Sequence, residues 1–178
     1  NNPPHVDMGL PLNQTTLAEH LNTQGFNTYM LGKWHLGMNS SYTPIHRGYN
    51  ESLVFLGGGS LYLPMDHPEV VNGEAQYAVS YNNGPLFAPN EYMTDYLSHE
   101  TVKLLRALSE VKKSDYKNSR SGEECRWRRR SSAPWFITLC YNAVHDPMQA
   151  LRSDYEDAEV QKIPLDNDDK PEEAGNNL

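Results

Sequence analysis

Two rhythms of apolar residues alternate along this chain. Between Thr16 and Gly25, Leu17, His20 and Leu21 fall at helical spacing. Thr16 with Glu19 three residues on forms a capping box, and Gly25 suits the position just past a helix end. FNTYML (26–31) then reads as a short strand. From 38 to 90 both rhythms fade into Gly, Asn, Pro and Tyr, with GGGSLYLP and NNGP as loop signals. Irregular chain with short strands is expected there, a kind of surface that often carries substrate contacts. A helix is predicted from about 94 to 111, with Leu97, Thr101, Leu104, Leu105 and Leu108 on one core-facing stripe. PWFITLCY (134–141) is almost continuously apolar, which predicts a strand covered on both faces in the middle of an α/β sheet.

Charge divides the chain further. Residues 1–110 hold 10 acidic and 4 basic side chains, 111–133 hold 3 and 8, and 134–178 hold 10 and 3. The basic island between acidic flanks is expected to be a solvated, flexible insertion over 112–132. The acidic stretch 153–178 is expected to be a weakly structured tail. No apolar run reaches the 18 or so residues of a membrane span. The chain begins with Asn1 and shows no signal peptide, so it is expected to be processed or part of a longer protein. Cys125 and Cys140 make no disulfide framework, and sequons at Asn13, Asn39 and Asn50 lean towards a secretory route.

Both strong strands end in polar motifs. The first empties into Gly32-Lys33-Trp34-His35, and the last into Val144-His145-Asp146-Pro147. Ligands of open α/β sheets bind outside the carboxyl ends of the strands. If the two strands run parallel, Lys33, His35 and His145 share one edge and form a cationic pocket suited to a tetrahedral oxyanion. Taken singly, each residue has a plainer explanation: a solvated loop lysine, or a histidine at a strand end with a structural role.

The run TTLAEHLNTQGFNTYMLGKWHLG (15–37) resembles the second signature region of the sulfatases. Pro44 with Arg47-Gly48-Tyr49-Asn50 is similar to a Pro…Arg-Gly-Phe-Asp stretch of that family, and PWFITLCYNAVHDP to its strand ending in His-x-Pro. The resemblance covers about 8–60 and 90–152, and within the family it points to the arylsulfatase B-like (N-acetylgalactosamine-4-sulfatase-like) group. It implies an alkaline-phosphatase-like three-layer sandwich with a mixed, mostly parallel sheet, only partially present, with 1–152 as the central part of the catalytic domain. It also implies a sulfuric ester hydrolase acting on sulfated sugars or aryl sulfates, lysosomal or extracellular. Lys33 would hold the sulfate and anchor the nucleophile. His35 would sit against the nucleophile, and His145 would bind the sulfate and the leaving oxygen. The family's nucleophile is a formylglycine, made by a formylglycine-generating enzyme from a Cys-x-Pro-x-Arg motif, beside a calcium ion.

The chain departs from that pattern. Cys125-Arg126-Trp127-Arg128-Arg129 has Trp where the motif needs Pro or Ala and follows GKWH instead of preceding it. Cys140 reads as core, and Asp166-Asn167 lacks the apolar strand expected before late calcium ligands. Neither the nucleophile nor the metal ligands are found, so the 178 residues alone are expected to be inactive. Three alternatives remain open: a related alkaline-phosphatase-superfamily phosphoesterase, a non-catalytic sulfated-glycan-binding module, and nucleic-acid binding through Arg126–Arg130. Acidic flanks oppose the last, so no nucleic-acid partner is expected.

Overall fold

The computed structural model describes residues 9–64, 78–109, 127, 133–146 and 149–156. Its scaffold is a five-stranded mixed sheet in the order β4-β3-β2-β1-β5. The strands are β1 (Asn27–Lys33), β2 (Glu51–Phe55), β3 (Val79–Tyr81), β4 (Leu86–Phe87) and β5 (Trp135–Cys140). β1 runs parallel to β2 on one side and to β5 on the other, while β3 and β4 continue antiparallel beyond β2. The parallel trio is what positions the candidate site, because its three carboxyl ends leave the sheet at one edge.

Alternation along β1 sorts side chains to the two faces. Tyr29 and Leu31 join Leu53 and Val79 under the long helix α2 (Met93–Leu108), which supplies Met93, Tyr96, Leu97, Leu104 and Leu108. Met30, Trp34 and Val54 form a smaller cluster, with Tyr49, Leu56 and Cys140 packed against it. Each fully buried aliphatic or aromatic side chain of this kind contributes about 1.5–3 kcal/mol.

Helix α1 (Leu17–Thr23) starts on the expected capping box: Thr16 Oγ1 accepts from the Glu19 N–H at 3.0 Å, and the Thr16 N–H donates to Glu19 at 2.6 Å. Gly25 follows with φ 85, in the left-handed region. The buried face differs from the expected stripe. Ala18 is buried, whereas Leu17 is exposed and Leu21 half-buried, because Gly48 packs against the backbone at Ala18 and Glu19. In α2 the stripe is likewise rotated. Glu100 is buried and Leu105 is exposed, since Glu100 accepts from the Trp127 indole at 3.0 Å and from Lys103 at 2.9 Å.

Trp127 itself packs into the main core, edge-on to Tyr29 and Tyr81. One residue of the supposed solvated insertion is thus a core residue, and its ring is not free to stack on a base. The other residues of 112–132 lie outside the described residues, as do Cys125, Pro147, Asp166-Asn167 and the tail beyond 156. A short helix, α3 (Arg152–Tyr155), begins the acidic stretch.

Two strand boundaries also differ. β1 runs on through Gly32 and Lys33, which pair with Val54 and Phe55, so the lysine ends the strand and does not follow it. β5 packs on both clusters through Ile137, Leu139 and Cys140 but stands at the end of the described sheet, and from Phe136 onward its residues are half-buried. Among the described residues only β1 pairs with it, which leaves its other edge open.

Candidate oxyanion site

GKWH divides its labour by burial. Gly32 has φ 93, and a Cβ there would lie 1.9 Å from the Cys140 carbonyl oxygen, so β1 can approach β5 this closely only with glycine. Lys33 is half-buried at the strand end. Trp34 is an anchor: it is buried, its indole N–H donates to the Tyr42 carbonyl at 2.8 Å, and Tyr49 meets its ring edge-on. His35 is exposed and holds a left-handed backbone, φ 54, a costly conformation for a residue with a Cβ.

His145 arrives from the far side of the sheet. β5 ends at Cys140, and a turn in which the His145 N–H donates to the Asn142 carbonyl at 3.0 Å turns the imidazole outward. Its Nδ1 lies 2.8 Å from the Asp146 carbonyl oxygen. A carbonyl only accepts, so Nδ1 carries the proton of that bond. Nε2 is then an acceptor on the neutral ring and a donor only on the imidazolium.

Between the two histidines lies the exit of β2. A Cβ on Gly58 would sit 2.7 Å from His35 Nε2, and one on Gly59 would sit 3.3 Å from His145 Nδ1. The two rings therefore flank one dipeptide, whose α-carbons are about 3.8 Å apart. Lys33 stands at the end of β1, two residues before His35, and its ammonium has no carboxylate partner among the described residues. All three candidate residues thus leave the sheet at one edge.

The residues that hold this edge were not foreseen. β2 is buried at every position and lacks the alternation that marks a half-buried strand, so within a stretch expected to hold short strands nothing singles out ESLVF as one. The only sequence signal was the glycine run itself. Asn142, 3% exposed, accepts from the Ser60 N–H at 3.3 Å and donates to the Ser60 carbonyl at 2.6 Å. The Tyr62 hydroxyl donates to the His145 carbonyl at 3.0 Å, and the Tyr62 N–H donates to Gln149 at 3.0 Å. Burial pushes the Tyr62 hydroxyl pKa up, with Tyr92 and Asp146 adding to the rise against the bond to His145, so the proton stays on oxygen.

Among the described residues no three His, Cys, Asp or Glu side chains gather as metal ligands, so the calcium implied by the resemblance finds no matching donor set here. Burial likewise raises the Cys140 pKa, which keeps it a thiol and a packing residue.

A family model described as Sulfatase matches residues 1–173. An arylsulfatase of Klebsiella aerogenes is 31% identical over 136 residues, covering 76% of this chain and 25% of that protein. Arylsulfatase G of Rattus norvegicus is 60% identical over 42 residues, 24% of this chain and 8% of its own length. The chain thus spans about a quarter, or less, of these relatives. Among solved structures, Ps i-CgsB in complex with k-i-k-neocarrahexaose superposes with a TM-score of 0.62 at 28% identity, over 83% of this chain and 30% of that one.

Proposed function

Because the chain belongs to the sulfatase family, we propose that it supplies the oxyanion-binding side of a sulfuric ester hydrolase acting on sulfated carbohydrate or aryl sulfate. The observation that carries this is the shared edge: two histidines from separate strand exits flank Gly58-Gly59, and Lys33, at the end of the strand that delivers His35, has no carboxylate partner among the described residues. Lys33 meets the sulfate oxygens as a point charge. His145, with Nδ1 already donating to Asp146, offers Nε2 to the sulfate or the leaving oxygen when the ring is an imidazolium, and there offsets developing negative charge. His35 stands exposed on the other flank, placed to handle a proton at the attacking group. A sugar substrate is favoured by the structural neighbour crystallised with a neocarrahexaose.

Calcium and formylglycine belong to this reading through the family alone, with a formylglycine-generating enzyme as the partner that would act on a longer protein. No step is derived through either group. A secretory location, lysosomal or extracellular, is supported by the exposed sequon Asn13, whereas the Asn50 amide oxygen is engaged by Thr28. Residues 1–152 are the catalytic-domain portion in this reading, and 153–178 its acidic tail.

The test is a calorimetric titration of the 178-residue chain with inorganic sulfate and, separately, inorganic phosphate. Sulfate binds weakly, and Lys33→Ala or His145→Ala lowers the affinity several-fold. The chain alone does not hydrolyse an aryl sulfate, even after coexpression with a formylglycine-generating enzyme. Hydrolysis by the chain alone, or sulfate binding indifferent to both substitutions, overturns the proposal. A preference for phosphate revives the phosphoesterase alternative.

A further inference from the structure

Asn142 is the least expected member of the site. It follows a strand, carries no charge and resembles an ordinary turn residue, yet it is buried and both ends of its amide close on one partner 82 residues away. Its oxygen accepts from the Ser60 N–H and its nitrogen donates to the Ser60 carbonyl. That two-point contact fixes orientation as well as distance, much as a rung of a sheet does. Ser60 is itself buried, 1% exposed, at the end of the Gly57–Ser60 turn.

The same segment is tied down further beyond Ser60, through Tyr62. Tyr62 donates to the His145 carbonyl and to Gln149, and its ring stacks on Tyr92 with centroids 5.7 Å apart. The Met93 N–H donates to the Tyr62 carbonyl at 2.7 Å, which docks the segment on the first residue of α2. A loop rich in glycine is soft by itself. Here Leu56 upstream accepts from the His35 N–H at 3.3 Å, Ser60 and Tyr62 hold the downstream flank, and the loop lies against two exposed imidazoles.

We propose that Asn142 is a positioning residue: by clamping Ser60 it holds Gly58 and Gly59 as a common backing for His35 and His145, and so sets the spacing of the two rings around a bound oxyanion. This rests on the reading of the two histidines as oxyanion-site groups, and it adds which residue governs their relative placement. It also explains the composition of the loop. A methyl group on Gly58 would enter the His35 ring at 2.7 Å, whereas one on Gly59 would press His145 only at 3.3 Å. Any side chain at 58 therefore displaces one histidine and spares the other, while loss of the clamp releases both.

The experiment is imidazole NMR of the 178-residue chain, with inorganic sulfate as the probe. In the wild type, nuclear Overhauser contacts connect Gly58 α-protons to the His35 ring and Gly59 α-protons to the His145 ring. Asn142→Ala should weaken both contacts and lower sulfate affinity about tenfold, with the α2 amide signals unmoved. Gly58→Ala should lose the His35 contact alone, and Gly59→Ala should shift His145 by a smaller amount. If Asn142→Ala does not fold, Asn142→Asp, which keeps an acceptor for the Ser60 N–H but cannot donate to the Ser60 carbonyl, is read in its place, and weakening of both ring contacts supports the proposal. In the glycine variants, separate and unequal effects on the two rings support the shared backing, and no effect on either ring overturns it. Asn142→Ala that folds and leaves both contacts and the sulfate affinity unchanged also overturns it. If the wild-type contacts are present but sulfate moves neither ring, the loop geometry stands and the oxyanion-site reading fails instead.

Discussion

Arg47 and Lys33 are two cations within 15 residues of each other, and they live in opposite circumstances. Arg47 is 1% exposed, and each of its three guanidinium nitrogens donates: to Glu19 at 3.1 Å, to the Leu10 carbonyl at 2.7 Å and to the Gln14 carbonyl at 2.6 Å. Its own carbonyl accepts from the Thr16 hydroxyl, which also caps α1. Lys33 is half-buried at a strand end, with no carboxylate partner among the described residues. The first cation is consumed by the fold and acts as a strut between helix α1 and the chain before β2. The second is left over. A charge held by three local acceptors has little to offer a ligand, whereas one with no carboxylate partner among the described residues, at the same sheet edge as two exposed imidazoles, does.

That contrast can be broken most severely at Arg47. Arg47→Ala leaves Glu19 and two backbone carbonyls without their donor, and should cost about 3–5 kcal/mol of stability. Urea denaturation of the 178-residue chain reads this directly; a loss below about 1 kcal/mol would show the strut to be dispensable.

Lys33→Ala should reverse the pattern. In a longer gene product that turns over an aryl sulfate, turnover should fall by about 10²–10³. The folding free energy should change by no more than about 0.5 kcal/mol, as for a side chain outside any local network. His35→Ala should behave in the same way, and steady-state kinetics beside a denaturation curve separates the two effects. A destabilisation as large as that of Arg47→Ala would make Lys33 a second strut.

The smallest expected effect is on acid stability. Burial acts to raise the Glu19 pKa, but hydrogen bonds from the Thr16 backbone and from Arg47, with the charge of Arg47, outweigh it and hold the carboxyl below its ordinary 4.5. A lowered pKa stabilises the fold at pH above the unfolded value, and that contribution drains as pH falls through the folded one. Stability should therefore decline below about pH 4.5, and Glu19→Gln should flatten that part of the profile. An unchanged acid limb in Glu19→Gln would place the sensitivity elsewhere.

What could be read without coordinates was whatever a few adjacent residues settle among themselves. The capping box at Thr16 and Glu19 needs three residues of spacing, and it forms as expected. β1 and β5 were legible because FNTYML and PWFITLCY are dominated by β-branched, aromatic and large apolar residues, which announce a strand whatever lies beside them. The polar motifs at their carboxyl ends were equally local. Where helix phase depended on a distant partner, the pattern misled. Leu105 stands on the expected core stripe yet is exposed, whereas Glu100, which is not on it, is buried where its carboxylate meets the Trp127 indole.

Tertiary structure alone decided that ESLVF is a third parallel strand, because a strand buried on every residue shows no alternation to distinguish it from an apolar loop. It alone brought the Gly58-Gly59 dipeptide between His35 and His145, and it alone turned Asn142 towards Ser60. Side-chain identity specifies what each of these groups can donate or accept. Which partner receives it is set by strand order and register across more than 80 residues of chain, and no local rhythm encodes that distance.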